Sequence, residues 1–229
     1  MNALNAIVFD KDGTLFDFQS TWSAWYEKLV DELCPADDAR QGAVADALRY
    51  QPGRGFYPDS VVIAGTSREV AETLARETGL EARAIEAMAN RIGETTPQQP
   101  VPRLSETLAH LAGAHVLGLV TNDGEAPARA HLGAMGIGHH FSFVAGYDSG
   151  HGAKPEPGQL LAFSFATGIQ PSATLMVGDS RHDLAAGRAA GMATAGVLTG
   201  VAGEADLSHL ADVVLPDISH LPEWIAARR

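Results

Sequence analysis

The chain is 229 residues long, 45% hydrophobic and 19% charged, with a formal net charge of −12 at pH 7. That length suits one large domain or a core with a smaller second unit, and the apolar share can bury a sizeable core. The acidic balance excludes the broad basic footprint of nucleic-acid or anionic-membrane binding, but not a small anion in a local pocket.

The single cysteine, Cys34, excludes an intramolecular disulfide and a multi-cysteine metal site, and reads as packing on a helix face. Met1-Asn2-Ala3-Leu4-Asn5 has no basic segment leading into a long apolar run, so no signal peptide is expected. The longest uncharged stretch, Ala189 to Gly203, is too short and too rich in Gly, Ala and Thr to span a bilayer. The expectation is a soluble cytoplasmic protein, monomeric or homodimeric.

In chain order, Ala6-Ile7-Val8-Phe9 is a short apolar run that reads as a buried parallel strand. Thr21 or Ser20 can cap a helix whose stripe is Trp22, Trp25, Tyr26, Leu29, Val30 and Leu33. A second helix is expected over Asp37 to Tyr50, then a breaker-rich loop, Gln51 to Pro58. Thr66-Ser-Arg-Glu69 has capping-box spacing and opens a helix that stops near Gly79; a further helix runs from Ala82 to Gly93. Residues 18–96 are thus mainly helical, and Pro97, Pro100 and Pro102 read as a linker.

Beyond the prolines, strands at 115–120, 141–145, 174–177, 194–198 and 212–215 alternate with helices at 125–135, 158–167 and 184–190. Regular β-α alternation implies a parallel sheet with right-handed crossovers. The expected fold is therefore an α/β, Rossmann-like three-layer core with a central parallel sheet (residues 1–17 and 97–229), interrupted by a helical insert (18–96). An insert that enters right after the first strand sits above the sheet's carboxyl edge, where a lid would.

Chemistry-bearing residues gather at that edge. Asp10 and Asp12 follow the first strand, and two close carboxylates need a cation or a shared proton. Thr121 offers a hydroxyl, and the backbone N–H groups of Thr121, Asn122 and Asp123 can point at an anion. Lys154, one of only three lysines, stands in a stiff proline-bearing loop, and Asp179 and Asp183 follow another buried strand. Taken singly, these residues have bland readings as turn, cap or surface groups; four strand-end features on one edge are harder to explain that way.

As a set they resemble the haloacid-dehalogenase-like hydrolase superfamily: Asp10-Lys-Asp-Gly-Thr-Leu15 its first motif, Leu119-Val-Thr-Asn122 its second, Lys154-Pro155 its third, and Gly178-Asp-Ser-x-x-Asp183 its fourth. Order and spacing agree over essentially the whole chain. The insert between the first two motifs resembles the helical cap of phosphoglycolate phosphatase and β-phosphoglucomutase relatives. The resemblance implies Asp10 as the nucleophile that forms an aspartyl-phosphate, and Asp12 as general acid and then base. It implies Mg²⁺ held by Asp10, the Asp12 backbone carbonyl and Asp179, with Ser180 and Asp183 orienting water on the metal. Thr121, the Asn122 amide and Lys154 would grip the phosphoryl oxygens.

The expected activity is a Mg²⁺-dependent phosphatase acting on a small phosphorylated metabolite, with 2-phosphoglycolate a candidate. A phosphomutase of the β-phosphoglucomutase type shares the same residues and stays open. A dehalogenase is disfavoured by Asp12, a phosphonatase by the absence of a well-placed lysine in the insert, and a non-catalytic binding protein by the intact motifs. A dinucleotide site at Gly196 to Gly203 has the wrong glycine spacing. Arg54 is a candidate for meeting a substrate carboxylate or second phosphate; the histidines, among them His151 and His182, show no metal-ligand spacing.

Overall fold

The computed structural model describes residues 3–228; Met1 and Asn2, where the expected core segment and the leader reading begin, and Arg229 lie outside the described residues. Six parallel strands form the central sheet: β1 (Ala6–Phe9), β4 (Val116–Val120), β5 (Phe141–Ala145), β6 (Thr174–Gly178), β7 (Ala193–Val197) and β8 (Val213–Leu215). Their order is β5-β4-β1-β6-β7-β8, with Ala6 in register with Val116 on one side and Thr174 on the other. β1 is therefore central, and its four residues are fully buried because helices cover both faces.

The two faces follow the strand period of two. Ile7, Phe9, Leu117, Leu119, Leu175 and Val177 pack under α6 (Leu104–Ala112), α7 (Glu125–Ala134) and α11 (Leu221–Ala227). Ala6, Val8, Val120 and Met176 pack under α8 (Gly158–Thr167) and α9 (Arg181–Ala190). Each fully buried Leu, Ile or Phe on these faces contributes about 1.5–3 kcal/mol.

Between β1 and α6 lie α1 (Phe18–Leu33), α2 (Asp38–Ala47), the short antiparallel hairpin of β2 (Tyr50–Gln51) and β3 (Gly55–Phe56), α3 (Val61–Ala64), α4 (Ser67–Thr78) and α5 (Ala82–Glu94). This segment has its own apolar core, whose fully buried members all come from residues 18–92. A four-residue helix, α10 (Glu204–Leu207), precedes β8. Among the described residues no helix is long and apolar enough to cross a membrane.

The structure corrects several details. α1 is capped by Asp17, which accepts from the Ser20 N–H at 2.8 Å, rather than by Thr21 or Ser20; Thr21 is instead buried. The second helix stops at Ala47, short of Tyr50. Arg49 takes a left-handed φ of 55°, and Tyr50 stacks on Tyr26 (ring centroids 3.8 Å apart), so aromatic packing outweighs continuation of the helix. Cys34 is buried as the cap residue after α1, not on its face. α6 carries no anticipated start signal, because Arg103 enters it from the left-handed region with no side-chain cap. Leu104, Leu108 and Leu111 nonetheless form a buried stripe on it.

One glycine is required by packing on β4. A Cβ on Gly118 would lie 2.6 Å from the Phe163 ring. Gly118→Ala is expected to destabilise the protein by about 1–3 kcal/mol, and combination with Phe163→Leu to recover part of that loss. Denaturant midpoints of the two single variants and the double variant check this, and strict additivity would refute it.

Candidate active site

The acidic side chains of the site stand just beyond strand ends or, for Asp183, in the first turn of the helix that follows one. Asp10 follows β1 directly, and its N–H bonds to the Val177 carbonyl on β6 at 2.9 Å. Lys154, in the loop before α8, reaches across the sheet edge: its Nζ lies 2.5 Å from Asp10 Oδ1, 2.6 Å from Asp183 Oδ1 and 3.3 Å from the Val120 carbonyl. All three charged groups are buried. Burial pushes the Asp10 carboxyl up to about 7, against the pull of Lys154 and with Asp183 and Asp12 adding to the rise. Burial alone would lower the Lys154 ammonium, but Asp10 and Asp183 more than offset it and hold its pKa above the ordinary lysine value.

Asp179, at the end of β6, is confined by backbone. Gly13 has φ +79°, and a Cβ there would come within 2.4 Å of the Asp179 carboxylate; on Gly200 it would come within 1.7 Å. Thr199 Oγ1 donates to the Gly13 carbonyl at 2.6 Å, so the late glycine-rich stretch braces this acid. Burial raises the Asp179 carboxyl well above its ordinary value, with Asp183 and Asp10 adding. Asp183 is held by the N-terminus of α9: its Oδ2 accepts from Ser180 N (3.0 Å) and Ser180 Oγ (2.7 Å) in a capping box.

Asp10, Asp179 and Asp183 offer carboxylate oxygens that all lie within 4.8 Å of one another, all buried. Lys154 pairs with only two of these carboxylates, Asp10 and Asp183, and the donor set is purely oxygen. That excess of buried negative charge on hard ligands fits a hard divalent cation.

Asp12 belongs to a second ionic cluster. Lys11, fully buried, places its Nζ 3.0 Å from Asp12 Oδ2, 2.9 Å from Asp123 Oδ2 and 3.1 Å from His131 Nδ1. His131 Nε2 lies 2.7 Å from the Gly93 carbonyl in the last turn of α5, so the tautomer that donates there leaves Nδ1 to accept from Lys11. Burial, and Lys11 after it, hold the His131 imidazole below its ordinary value. Sequence reasoning assigned no role to the side chains of Lys11, Asp123 or His131. The scarcity of lysine was a signal for Lys11, but nothing local links it to a histidine 120 positions away.

Thr121 and Asn122 follow β4. Of the three backbone N–H groups expected to face an anion, Thr121 N–H is spent on the Ala145 carbonyl and Asp123 N–H on Thr121 Oγ1. The Thr121 hydroxyl hydrogen remains free to donate. The Asn122 carboxamide is engaged with backbone: Nδ2 donates to Ala64 O (2.7 Å) and Lys154 O (2.9 Å), and Oδ1 accepts from Lys154 N (2.9 Å). It fixes the Lys154 loop and ties it to the insert.

A cavity opens over these groups. Asp10, Asp12, Thr121, Asn122, Lys154, Asp179, Ser180 and Asp183 all line it, so the structure brings eight expected site residues together. Arg54 does not reach it: the side chain is exposed in the β2–β3 turn, with its guanidinium over the Tyr57 ring at 4.5 Å. Trp22 and Trp25 line the cavity from the insert, and His182 from the core.

Comparison with known proteins follows the same outline. The family model described as haloacid dehalogenase-like hydrolase matches residues 4–191. A phosphoglycolate phosphatase of Rhodospirillum rubrum is 30% identical over 225 residues, covering 96% of this chain and 90% of its own. A pyrophosphatase of Bacillus velezensis is 30% identical over 226 residues, covering 95% and 94%. In fold, the chain is similar to the crystal structure of a predicted phosphoglycolate phosphatase from Haemophilus somnus, with a TM-score of 0.72, 21% identity, and 98% and 99% coverage.

Two expectations follow from the Lys11 cluster. Lys11→Met strands the buried Asp123 carboxylate and the half-buried Asp12 one, and is expected to cost about 3–5 kcal/mol, read as a fall in denaturant midpoint; a loss under about 1 kcal/mol would contradict the ionic account. Because the folded His131 pKa is depressed, its contribution to stability is present above the ordinary histidine value and is lost as pH falls through the folded one. Stability should therefore drop more between about pH 7.5 and about pH 5.5 in the parent than in His131→Asn, and equal drops would refute the point.

Proposed function

The chain belongs to the haloacid dehalogenase-like hydrolase family, and on that premise we propose that it is a Mg²⁺-dependent phosphatase working through an aspartyl-phosphate on Asp10. The enzyme class is phosphoric monoester hydrolase. The observation that carries the mechanism is the convergence of Asp10, Asp12, Lys154, Asp179 and Asp183 on one cavity at the carboxyl edge of the sheet.

In this reading an Asp10 carboxylate oxygen attacks phosphorus in line with the ester oxygen, and the bond from phosphorus to the alcohol oxygen breaks. Asp12 gives its proton to the leaving alkoxide. It then takes a proton from the water that attacks the phosphoryl group, which restores the Asp10 carboxylate and releases phosphate. Lys154 and the Thr121 hydroxyl offset charge on the transferring oxygens, and the Asn122 backbone N–H adds a donor while its side chain holds the Lys154 loop. Asp10, the Asp12 carbonyl and Asp179 would hold a divalent cation, with Ser180 and Asp183 behind them, and it would supply the positive charge that lets an anionic nucleophile approach a phosphate dianion. A hard cation held by few carboxylates, with waters completing its shell, fits Mg²⁺.

We assign residues 1–17 and 97–229 to the catalytic core and 18–96 to the cap, in line with the separate apolar core of the insert. The cap would close the cavity and limit water. The substrate is a small phosphorylated metabolite, and the name of the Rhodospirillum rubrum relative brings 2-phosphoglycolate onto the list to be tested.

Phosphate release from a panel of phosphomonoesters with Mg²⁺ is expected, abolished by EDTA. Asp10→Asn should lower it by at least about 10³-fold and Asp12→Asn by about 10²–10⁴-fold. Release that survives Asp10→Asn in protein freed of contaminating phosphatase would sink the mechanism.

A further inference from the structure

The cavity wall built by the insert has a distinct chemistry. It is made by Phe18, Trp22, Trp25, Val62, Ile63 and Val70, with no lysine or arginine from the insert among the lining residues. Trp22 and Trp25 meet edge to face, with ring centroids 5.0 Å apart, and Trp22 keeps a buried indole N–H without a partner. Ser67 opens α4 beside this wall, where a helix N-terminus would ordinarily welcome an anion. Part of that end is already served, and by a carboxylate: Glu69 Oε2 accepts from Thr66 N at 2.7 Å and Thr66 Oγ1 at 3.0 Å, and Glu69 N–H donates to Thr66 Oγ1 at 3.2 Å. The neighbouring Arg68 lies outside the lining and pairs with Glu86 at 3.5 Å.

The facing core wall is acidic, with Asp12, Asp123 and Asp183 in the lining. Lys154 is committed to the phosphoryl position, and Lys11 is sealed beneath by its three partners. A carboxylate or second phosphate on the leaving group would meet carboxylates in front and, behind, apolar side chains with the neutral Trp22 indole N–H and no cation from the insert. His182, on the core side, is the one remaining lining residue able to carry positive charge. Such a wall rewards apolar area and leaves a second anion unpaired.

We propose that the preferred substrate is a phosphomonoester of an uncharged apolar or aromatic alcohol, whose carbon skeleton packs against Trp22 and Ile63. The proposal rests on the phosphatase reading above. It sets this site apart from the carboxylated ester implied by the relatives' names.

The test is steady-state hydrolysis with Mg²⁺ of benzyl phosphate, its para-carboxylated analogue, ethyl phosphate and 2-phosphoglycolate. The first pair shares one reaction centre and differs by one charge. The kcat/KM for benzyl phosphate should exceed that for its carboxylated analogue and for 2-phosphoglycolate by at least about tenfold. Trp22→Ala should cost benzyl phosphate about tenfold and ethyl phosphate several-fold less, with Trp22→Phe intermediate as a variant that preserves the packed ring. Ile63→Arg, at a half-buried position, should narrow the gap for the carboxylated ester. Equal or greater kcat/KM for either carboxylated ester overturns the proposal, as does a selective loss of 2-phosphoglycolate turnover in His182→Ala. In both cases the phosphatase reading stands. Release from no ester by folded protein overturns that reading, and this proposal with it.

Discussion

Negative charge at the carboxyl edge of a buried sheet is the constraint on which the rest of the molecule depends. Asp10, Asp12, Asp123, Asp179 and Asp183 crowd one cavity, and two buried ammonium groups divide the work of holding them. Lys154 joins Asp10 to Asp183; Lys11 joins Asp12 to Asp123. An isolated buried carboxylate is costly enough that it takes up a proton instead, which is the tendency visible at Asp10 and Asp179. The same imbalance is what makes the oxygen cluster a suitable seat for a hard cation.

The backbone around these acids reflects that density. Gly13 and Gly200 have no Cβ because the Asp179 carboxylate occupies the space, and a Cβ on Gly178 would lie 2.2 Å from Asp183 Cβ. Ser180 and Asp183 settle each other through a helix cap, so one local motif starts α9 and aims Asp183 at Lys154. The Asn122 carboxamide grips both backbone groups of Lys154, which sets where its ammonium can reach. Functional side chains here are held by second contacts, each of them short and specific.

Two hydrogen bonds tie the insert to this centre, beside the Trp22 ring that lies 5.9 Å from the Lys11 ammonium. Ala64 accepts from Asn122 Nδ2, and Gly93 accepts from His131, whose other nitrogen meets Lys11. Both contacts end on backbone carbonyls of the insert, at the close of α3 and in the last turn of α5. A shift of the insert would therefore be felt by the Lys154 loop and by the cluster around Asp12, which are the two halves of the proposed chemistry. The apolar wall that the insert supplies then decides what part of a substrate the cavity welcomes.

Much of this was legible along the chain. The alternating strands and helices after residue 115, the capping box at Thr66, and the acids placed after strands are all encoded within a few positions of one another, because pleat, helix period and cap are local. Those local rules also brought Asp10, Thr121, Lys154 and Asp179 to one edge, since parallel strands present their carboxyl ends together. Other features had no local origin. α6 starts without a cap and is held by a leucine stripe on the sheet; Tyr50 leaves its helix to stack on Tyr26. Arg54 looked like a substrate contact from its loop, but the hairpin turns it out toward solvent and Tyr57. The partners of Lys11 depend on β4 lying beside β1 and on α7 packing against α5, so that Asp123 and His131 meet a lysine far away in sequence. Sequence by itself determined which groups stand at strand ends, because periodicity and capping act over a few residues; tertiary structure alone decided which charges neutralise one another, because that turns on which distant elements are neighbours.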